Sequence, residues 1–179
     1  MAKPSNGHGR FSRSEQVTVG HTDDHARRLH ALVNATRKTR GATTDRAFLG
    51  DALTITAGAF GGHSIAVALL RGDEVQVPDR LIRGRLAVDA ATLVAALSLD
   101  AGEPVERPDG DGFALAFPMT VDGRPAAALV VTGRRAELTD DDRLLLELLA
   151  THLAMGMENL ELRARSVLPA QAPARPSVA

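Results

Sequence analysis

Two pairs of polar side chains have a spacing that could bind a metal ion. His21 and His25 are four residues apart and could share one face of a helix. No cysteine and no third ligand accompany them, so we expect two solvated histidines. Asp109 and Asp111 alternate with glycines as in the start of a calcium loop, but the segment lacks the length and the closing Glu of an EF-hand loop. A surface turn is the better interpretation.

Three consecutive aspartates, at 140, 141 and 142, could be imagined as a cation site. They follow Thr139 directly and precede a long apolar run. A hydroxyl cap followed by carboxylates is typical of a helix start, because these groups satisfy free N–H donors and oppose the helix dipole. We therefore predict a helix that begins at Thr139, not a cation site.

The sequence gives little support for nucleophilic catalysis or for a phosphate-binding loop. Ser64 and Ser98 have no recognisable elbow or base partner. The absence of cysteine removes thiolate nucleophiles, disulfides and zinc-cysteine sites together. No Lys-Ser/Thr pair follows the glycines at 61 and 62 to form a phosphate loop. We therefore expect a protein that is not an enzyme, with no catalytic residue and no metal site, and the sequence names no cofactor.

Two histidines lie beside predicted apolar surfaces. His152 falls toward the apolar arc of the last predicted helix, where a hydrogen-bonded interface histidine is favoured over a haem ligand or a pH switch. His63 opens the first predicted strand, where we expect a plain edge position.

Composition excludes several classes of partner. The chain has 179 residues and 44% hydrophobic content, enough for the core of one ordinary domain. Lys and Arg number 21 against 22 Asp and Glu, so no excess of positive charge favours nucleic acid or a membrane surface. No apolar run approaches the length that crosses a bilayer, and residues 1–14 lack the apolar core of a signal peptide. We expect a cytoplasmic protein.

The chain divides into two tails, one helix and one domain. Residues 1–20 lack periodicity and residues 168–179 are rich in Pro and Ala, so both should be disordered. A narrow apolar stripe predicts an N-terminal dimerisation helix over 22–41. The remaining segment, 43–165, should form the domain.

Within the domain, apolar runs and turn residues predict a helix, strands, a short helix, a hairpin and a final helix. The first helix ends at Gly61-Gly62, and the strand Ser64–Leu70 follows it. Asp89 can cap the short helix. Two apolar strands flank Asp122-Gly123, a strong hairpin signal, so they should pair antiparallel.

The last helix, predicted from Thr139 to near Arg163, is apolar around about two thirds of its circumference. A helix packed on one sheet needs an apolar stripe only about 100° wide, so a second surface must cover the rest. A two-fold pair is the commonest assembly of identical chains. We predict a homodimer interface made by side chains of the first and last helices: Leu29, Leu32, Val33, Leu144, Leu148, His152 and Met155.

The order of these motifs resembles the C-terminal half of a GAF domain. An apolar strand ends in a proline (Phe113–Pro118), a turn with Gly follows (Asp122-Gly123), and then a second apolar strand (Ala126–Val131). Thr139–Asp142 opens the final helix, which ends in Glu158-Asn159-Leu160. With the preceding helix and strand, the resemblance covers roughly residues 43 to 163.

The resemblance implies an α+β fold of the profilin- and PAS-like kind. Such domains have a central antiparallel sheet, N- and C-terminal helices on one face that commonly mediate dimerisation, and loops on the other that enclose a small ligand. Here the segment 101–112 is shorter than the usual lid, no NKFDE-like motif is present, and no cysteine exists for a bilin or for the methionine-sulfoxide reductase members. No ligand-binding residue therefore transfers by motif.

The resemblance leaves two functions open. The first is a non-catalytic signalling or regulatory module that homodimerises through its terminal helices and binds a small ligand or a protein partner, with a signalling protein as a candidate. The alternative is a degenerate fold without a ligand pocket that acts as a structural or adaptor protein.

Overall fold

The computed structural model describes residues 26–30, 33–34, 44–134 and 138–167. The predicted tails, 1–20 and 168–179, lie outside the described residues, and so do His21, His25 and Leu32. The elements in chain order are α1 (helical at 26–30 and 33–34), α2 (Asp45–Ala59), β1 (Ser64–Arg71), β2 (Glu74–Gln76), a 3-10 turn (Asp79–Leu81), β3 (Ile82–Arg83), α3 (Val88–Ala101), β4 (Val105–Asp109), β5 (Gly112–Val121), β6 (Arg124–Gly133) and α4 (Asp140–Val167).

All strand pairs of the six-stranded sheet are antiparallel. The strand order is β2-β1-β6-β5-β4, and β3 also pairs with β1. The predicted hairpin is confirmed, because β5 and β6 pair around Asp122-Gly123, where both turn residues have positive φ, 50° and 72°. Two successive positive φ angles match the twist of a two-residue hairpin, which explains the Asp-Gly pair.

The two faces of the sheet bury side chains of different size. Because successive strand residues point to opposite faces, Phe113, Leu115 and Phe117 of β5 join the core on one side. Ala114 and Ala116 of the same strand face the other side. β1 and β6 alternate in the same way, so one face presents bulky side chains and the other presents mainly alanines and valines.

The bulky face of the sheet is covered by α2 and α4, as predicted for the terminal helices. Leu146, Leu149 and Leu153 of α4 are buried in the same core as Leu49 and Leu53 of α2. The two helices approach closely at one point, where a Cβ added to Gly156 would overlap the ring of Phe48. Glycine at this position lets α2 and α4 pack directly on each other.

Three expectations are corrected by the structure. The segment 101–112 is not an open loop, since Val105–Asp109 forms the edge strand β4 and turns into β5. α4 continues to Val167, about one turn beyond the predicted end. His63 is not at a plain edge position, because it directly precedes β1, a central strand, and is buried. Its ring centroid lies 6.1 Å from that of Phe113.

Candidate functional site

One side of α4 carries large apolar side chains that the domain itself leaves exposed. Leu144, Leu148 and Met155 are 57%, 44% and 54% exposed, and Leu162 is 50% exposed. At 3.6 residues per turn these four positions fall within roughly 40° of each other, on the side of the helix opposite its buried leucines. We call these four side chains the α4 stripe.

The other predicted interface residues lie in different surroundings. Leu29 and Val33 of α1 are 45% and 48% exposed, one helical turn apart. His152 is exposed beside the α4 stripe, with its Nδ1 3.1 Å from the carbonyl oxygen of Leu148. The structure thus describes all of the predicted interface residues except Leu32, and their pairing with a second copy stays a prediction.

A buried ion pair attaches α1 to the first turn of α4. The guanidinium of Arg28 binds the carboxylate of Asp142, which is 1% exposed, and also lies 5.1 Å from the ring centre of Phe60. Thr139 and Asp142 cap the helix reciprocally: each side chain accepts a hydrogen bond from the other's backbone N–H, at 3.1 and 3.2 Å. The sequence predicted the cap but gave no signal for Arg28, which is 114 positions away (142 − 28).

The pKa of Asp142 is lowered by this arrangement. Burial acts to raise the pKa, but the hydrogen bond from Arg28, those from the backbone and hydroxyl of Thr139, and the positive charge of Arg28 outweigh it. The pKa of the carboxyl therefore lies below its ordinary value of 3.8, so the group stays ionised near neutrality. Its aspartate neighbours at 140 and 141 are exposed at the helix start, as predicted.

The second face of the sheet is covered by α3. Ala91 and Ala95 of α3 are fully buried in the same cluster as Ala68, Ala116 and Ala128 of the sheet. Small side chains on both sides let the helix lie close to the strands. The buried hydroxyl of Ser98 also lies 2.8 Å from the carbonyl oxygen of Glu103 and 3.2 Å from that of Ala116, which ties α3 to β5.

A surface cleft of about 320 Å³ opens between α2 and the 3-10 turn. Its most connected side chain is Arg83, whose guanidinium donates to the Thr54 hydroxyl at 3.0 Å and to the Gly50 carbonyl at 3.0 Å. The same side chain donates to the backbone carbonyls of Arg80 and Ile82. Arg83 therefore clamps the segment before β3 onto α2, and its donors are engaged with the protein itself.

His63 is a buried polar side chain with unusual surroundings. Within the part of the chain that the structure describes, neither of its ring nitrogens has a hydrogen-bond partner. A Cβ added to Gly133 would lie 2.5 Å from its ring, so the end of β6 passes directly over the imidazole. The ring is therefore packed as part of the core beside Phe113.

The described residues contain neither a metal-binding cluster nor a membrane-spanning helix. Among them, no three His, Asp or Glu side chains are grouped closely enough to hold a metal ion. Over those same residues, no helix is both long and apolar enough to cross a membrane.

An antiparallel sheet with terminal helices on one face and a short helix on the other defines a small α+β domain. The chain belongs to the GAF domain family, whose family model matches residues 26–157. None of the curated proteins compared with the chain matches it.

Solved structures show the same fold at low sequence identity. The GAF domain from a phosphoenolpyruvate-protein phosphotransferase of Coxiella burnetii has a TM-score of 0.60 and 16% identity, over 80% of this chain and 99% of that one. The A. Aeolicus nlh2 GAF domain, in an inactive state, has a TM-score of 0.59 and 14% identity, over 77% of this chain and 98% of that one. Free methionine-R-sulfoxide reductase from Neisseria meningitidis, in complex with its substrate, has a TM-score of 0.64 and 20% identity, over 74% of this chain and 89% of that one.

The last of these similarities contradicts one expectation from the sequence. We expected a protein that is not an enzyme, but free methionine-R-sulfoxide reductases, including one from Staphylococcus aureus at 12% identity, share this fold and are enzymes. The exclusion was wrong because it rested on the lack of familiar catalytic motifs, whereas one fold can carry enzymes as well as binding modules. At these identities the likeness shows the fold alone.

Proposed function

We propose that this GAF domain is a sensory or regulatory module that works as a homodimer, paired through the α4 stripe together with Leu29 and Val33 of α1. The observation that carries the proposal is the row of about half-exposed apolar side chains opposite the buried face of α4. Large exposed apolar side chains that cluster on one side of a helix mark an interaction surface, whereas singly scattered ones are ordinary.

The helix that carries the stripe is connected to the rest of the domain in two ways. Its buried face packs in the main core, and its first turn is held to α1 by the Arg28–Asp142 pair. A change in the domain that moves α4 would therefore change the surface offered to a second copy. This connection supports a regulatory role for the pairing, in keeping with the family.

Light scattering during size-exclusion chromatography tests the dimer. We expect a mass of about twice the 18.9 kDa of the chain at micromolar concentration. Dilution should shift the peak toward the single chain with a measurable dissociation constant, because association depends on concentration. A mass of one chain at all accessible concentrations would remove the proposal.

The packing of α3 favours a second candidate function, a GAF fold without a ligand pocket that serves in protein assembly. Alanines of the helix lie directly on alanines of the sheet, and the Ser98 hydroxyl bonds across to the backbone of β5. A ligand on this face would have to displace α3, which would break these contacts.

Thermal unfolding with and without small molecules separates a ligand sensor from an assembly module. A ligand present at 100 times its dissociation constant adds about 2.7 kcal/mol, which for a domain of this size is a rise of about 5–10 °C in Tm. Under the second candidate we expect no saturable rise in Tm with cyclic nucleotides, haem or free methionine sulfoxide. A saturable rise with any of these would favour the ligand-binding module.

A further inference from the structure

The outer side of α3 is apolar, although it faces away from the sheet. No charged residue lies between Asp89 and Asp100 of this helix. One side of the helix is buried through Ala91, Val94, Ala95, Ser98 and Leu99. On the other side Leu93 is 53% exposed and Leu97 is half-buried. A helix that is apolar all round is normally covered on every side, so the outer side of α3 lacks a cover.

The exposed side of α3 has a carboxylate at each end and apolar side chains between them. At 100° per residue, Asp89, Leu93, Ala96, Leu97 and Asp100 fall within an arc of about 100°, opposite the buried residues. We call these five residues the α3 ridge. Its two carboxylates are eleven positions apart, which is about 16 Å along the helix.

The charge of the α3 ridge is negative and not balanced by the domain. Within the part of the chain that the structure describes, neither Asp89 nor Asp100 forms an ion pair. Asp100 lies in the last turn of α3, which has no basic residue, and the exposed Glu103 follows the helix. The negative end of the helix dipole adds to these charges, so a cation placed there would be stabilised.

A second copy of α3 does not fit this surface. Because both ends of the ridge carry a carboxylate, two α3 helices laid side by side would bring like charges together in the parallel and in the antiparallel orientation. Like charges that face each other across an interface disfavour binding. The charge pattern therefore favours an occupant that is apolar in its middle and basic at both ends.

We propose that the α3 ridge docks an amphipathic helix of a partner protein, with apolar side chains over Leu93 and Leu97 and a Lys or Arg near each of Asp89 and Asp100. The two cations would be about three turns apart on the partner helix. Apolar side chains on one face of a helix are a common means of recognition between proteins. The α3 ridge and the α4 stripe lie on helices that cover opposite faces of the sheet, so this docking does not depend on the proposed homodimer.

A synthetic helical peptide tests the proposal. The probe has leucines and one tryptophan on its apolar face and a lysine at each end of that face, about 16 Å apart. A second peptide is identical except for glutamate in place of both lysines. The chain has no Trp and no Tyr, so tryptophan emission reports on the peptide alone. We expect a saturable blue shift with the lysine peptide and none with the glutamate peptide.

Substitutions on the α3 ridge locate the bound peptide. Leu93→Gln keeps the charge and suits an exposed helix position, but it should weaken binding of the lysine peptide at least about fivefold, because an apolar contact is lost and an amide is buried. Leu144→Gln on the α4 stripe, where the native leucine is 57% exposed, is the matched control and should leave binding unchanged.

The charge contribution is measured in the same way. Asp100→Asn should weaken binding of the lysine peptide about two- to fivefold at low salt, as expected for an exposed ion pair. Asp51→Asn changes the net charge equally at an exposed position of α2 and should have no effect.

Four outcomes would overturn the docking surface. The lysine peptide gives no saturable shift, or the glutamate peptide binds as tightly. Binding is weakened by Leu144→Gln and not by Leu93→Gln, which would place the peptide on the α4 stripe. Light scattering shows an assembly of the chain that Leu93→Gln breaks, which would identify a second copy as the cover of α3. A native chain that is a monomer would instead remove the homodimer and leave this surface unaffected.

Discussion

Glutamate at both Leu148 and Met155 should convert the dimer into a monomer. These side chains are 44% and 54% exposed in the single chain, so glutamate is tolerated there by the fold itself. In the dimer the same substitutions would place four carboxylates in a contact between apolar side chains, and each buried charge costs several kcal/mol unless it is paired. Since 1.4 kcal/mol is a factor of ten, the dissociation constant should rise by at least about 100-fold.

A matched substitution on another helix shows whether this loss is specific. Leu93 of α3 is 53% exposed, as exposed as the stripe residues, but lies on the helix that covers the opposite face of the sheet. Leu93→Glu should leave the mass in light scattering at that of the dimer. Circular dichroism and thermal unfolding at low concentration should show that both variants keep the fold. A Leu148→Glu, Met155→Glu double variant that stays dimeric would contradict pairing through the α4 stripe.

The sheet was predictable where a clear turn signal separates two apolar runs. β5 and β6 have long apolar runs around Asp122-Gly123, and their pairing follows from the turn alone. β4 was missed because Glu106, Arg107 and Pro108 give it the composition of a loop. Charged residues and proline are frequent on edge strands, where they discourage pairing with another chain. The position of β4 at the edge of the sheet explains the missing signal.

The candidate site was only partly predictable, because its polar contacts join distant parts of the chain. Periodicity identified two apolar faces on α4, and the exposed stripe is the second of them. The Thr139–Asp142 cap is local and followed from residue types. The partners Arg28 and Arg83 could not be found, since an arginine on a helix or a strand looks the same in the sequence whether it is solvated or bound to a distant carboxylate or carbonyl.

Function was the least predictable property, for a reason visible in the fold. The same fold appears in GAF domains of other proteins and in free methionine-R-sulfoxide reductases. In this chain, small residues such as Ala91 and Ala116 bring α3 close to the sheet, a packing that no motif of the sequence indicated.

Replacing Asp142 by asparagine should lower the free energy of unfolding by about 2–4 kcal/mol at pH 7, because it leaves the Arg28 charge partly buried without its partner. The pKa of Asp142 is lowered in the folded state, so its contribution to stability is fully present above the ordinary value of 3.8. That contribution is lost as the pH falls below 3.8 through the lower pKa of the folded protein. The difference in the free energy of unfolding between the native chain and Asp142→Asn should therefore be constant from pH 5 to 7 and shrink in acid.

Urea unfolding of both proteins between pH 2 and 7 measures this difference, with Asp140→Asn as the matched control. Asp140 is exposed in the same helix turn, so its replacement removes only an interaction with the helix dipole and should lower the free energy of unfolding by about 0.3–1 kcal/mol. Because Arg28 also attaches α1, Asp142→Asn should in addition speed amide hydrogen exchange in α1 more than in α2. A stability difference for Asp142→Asn no larger than that for Asp140→Asn would show that the Arg28–Asp142 pair does not hold α1 to α4.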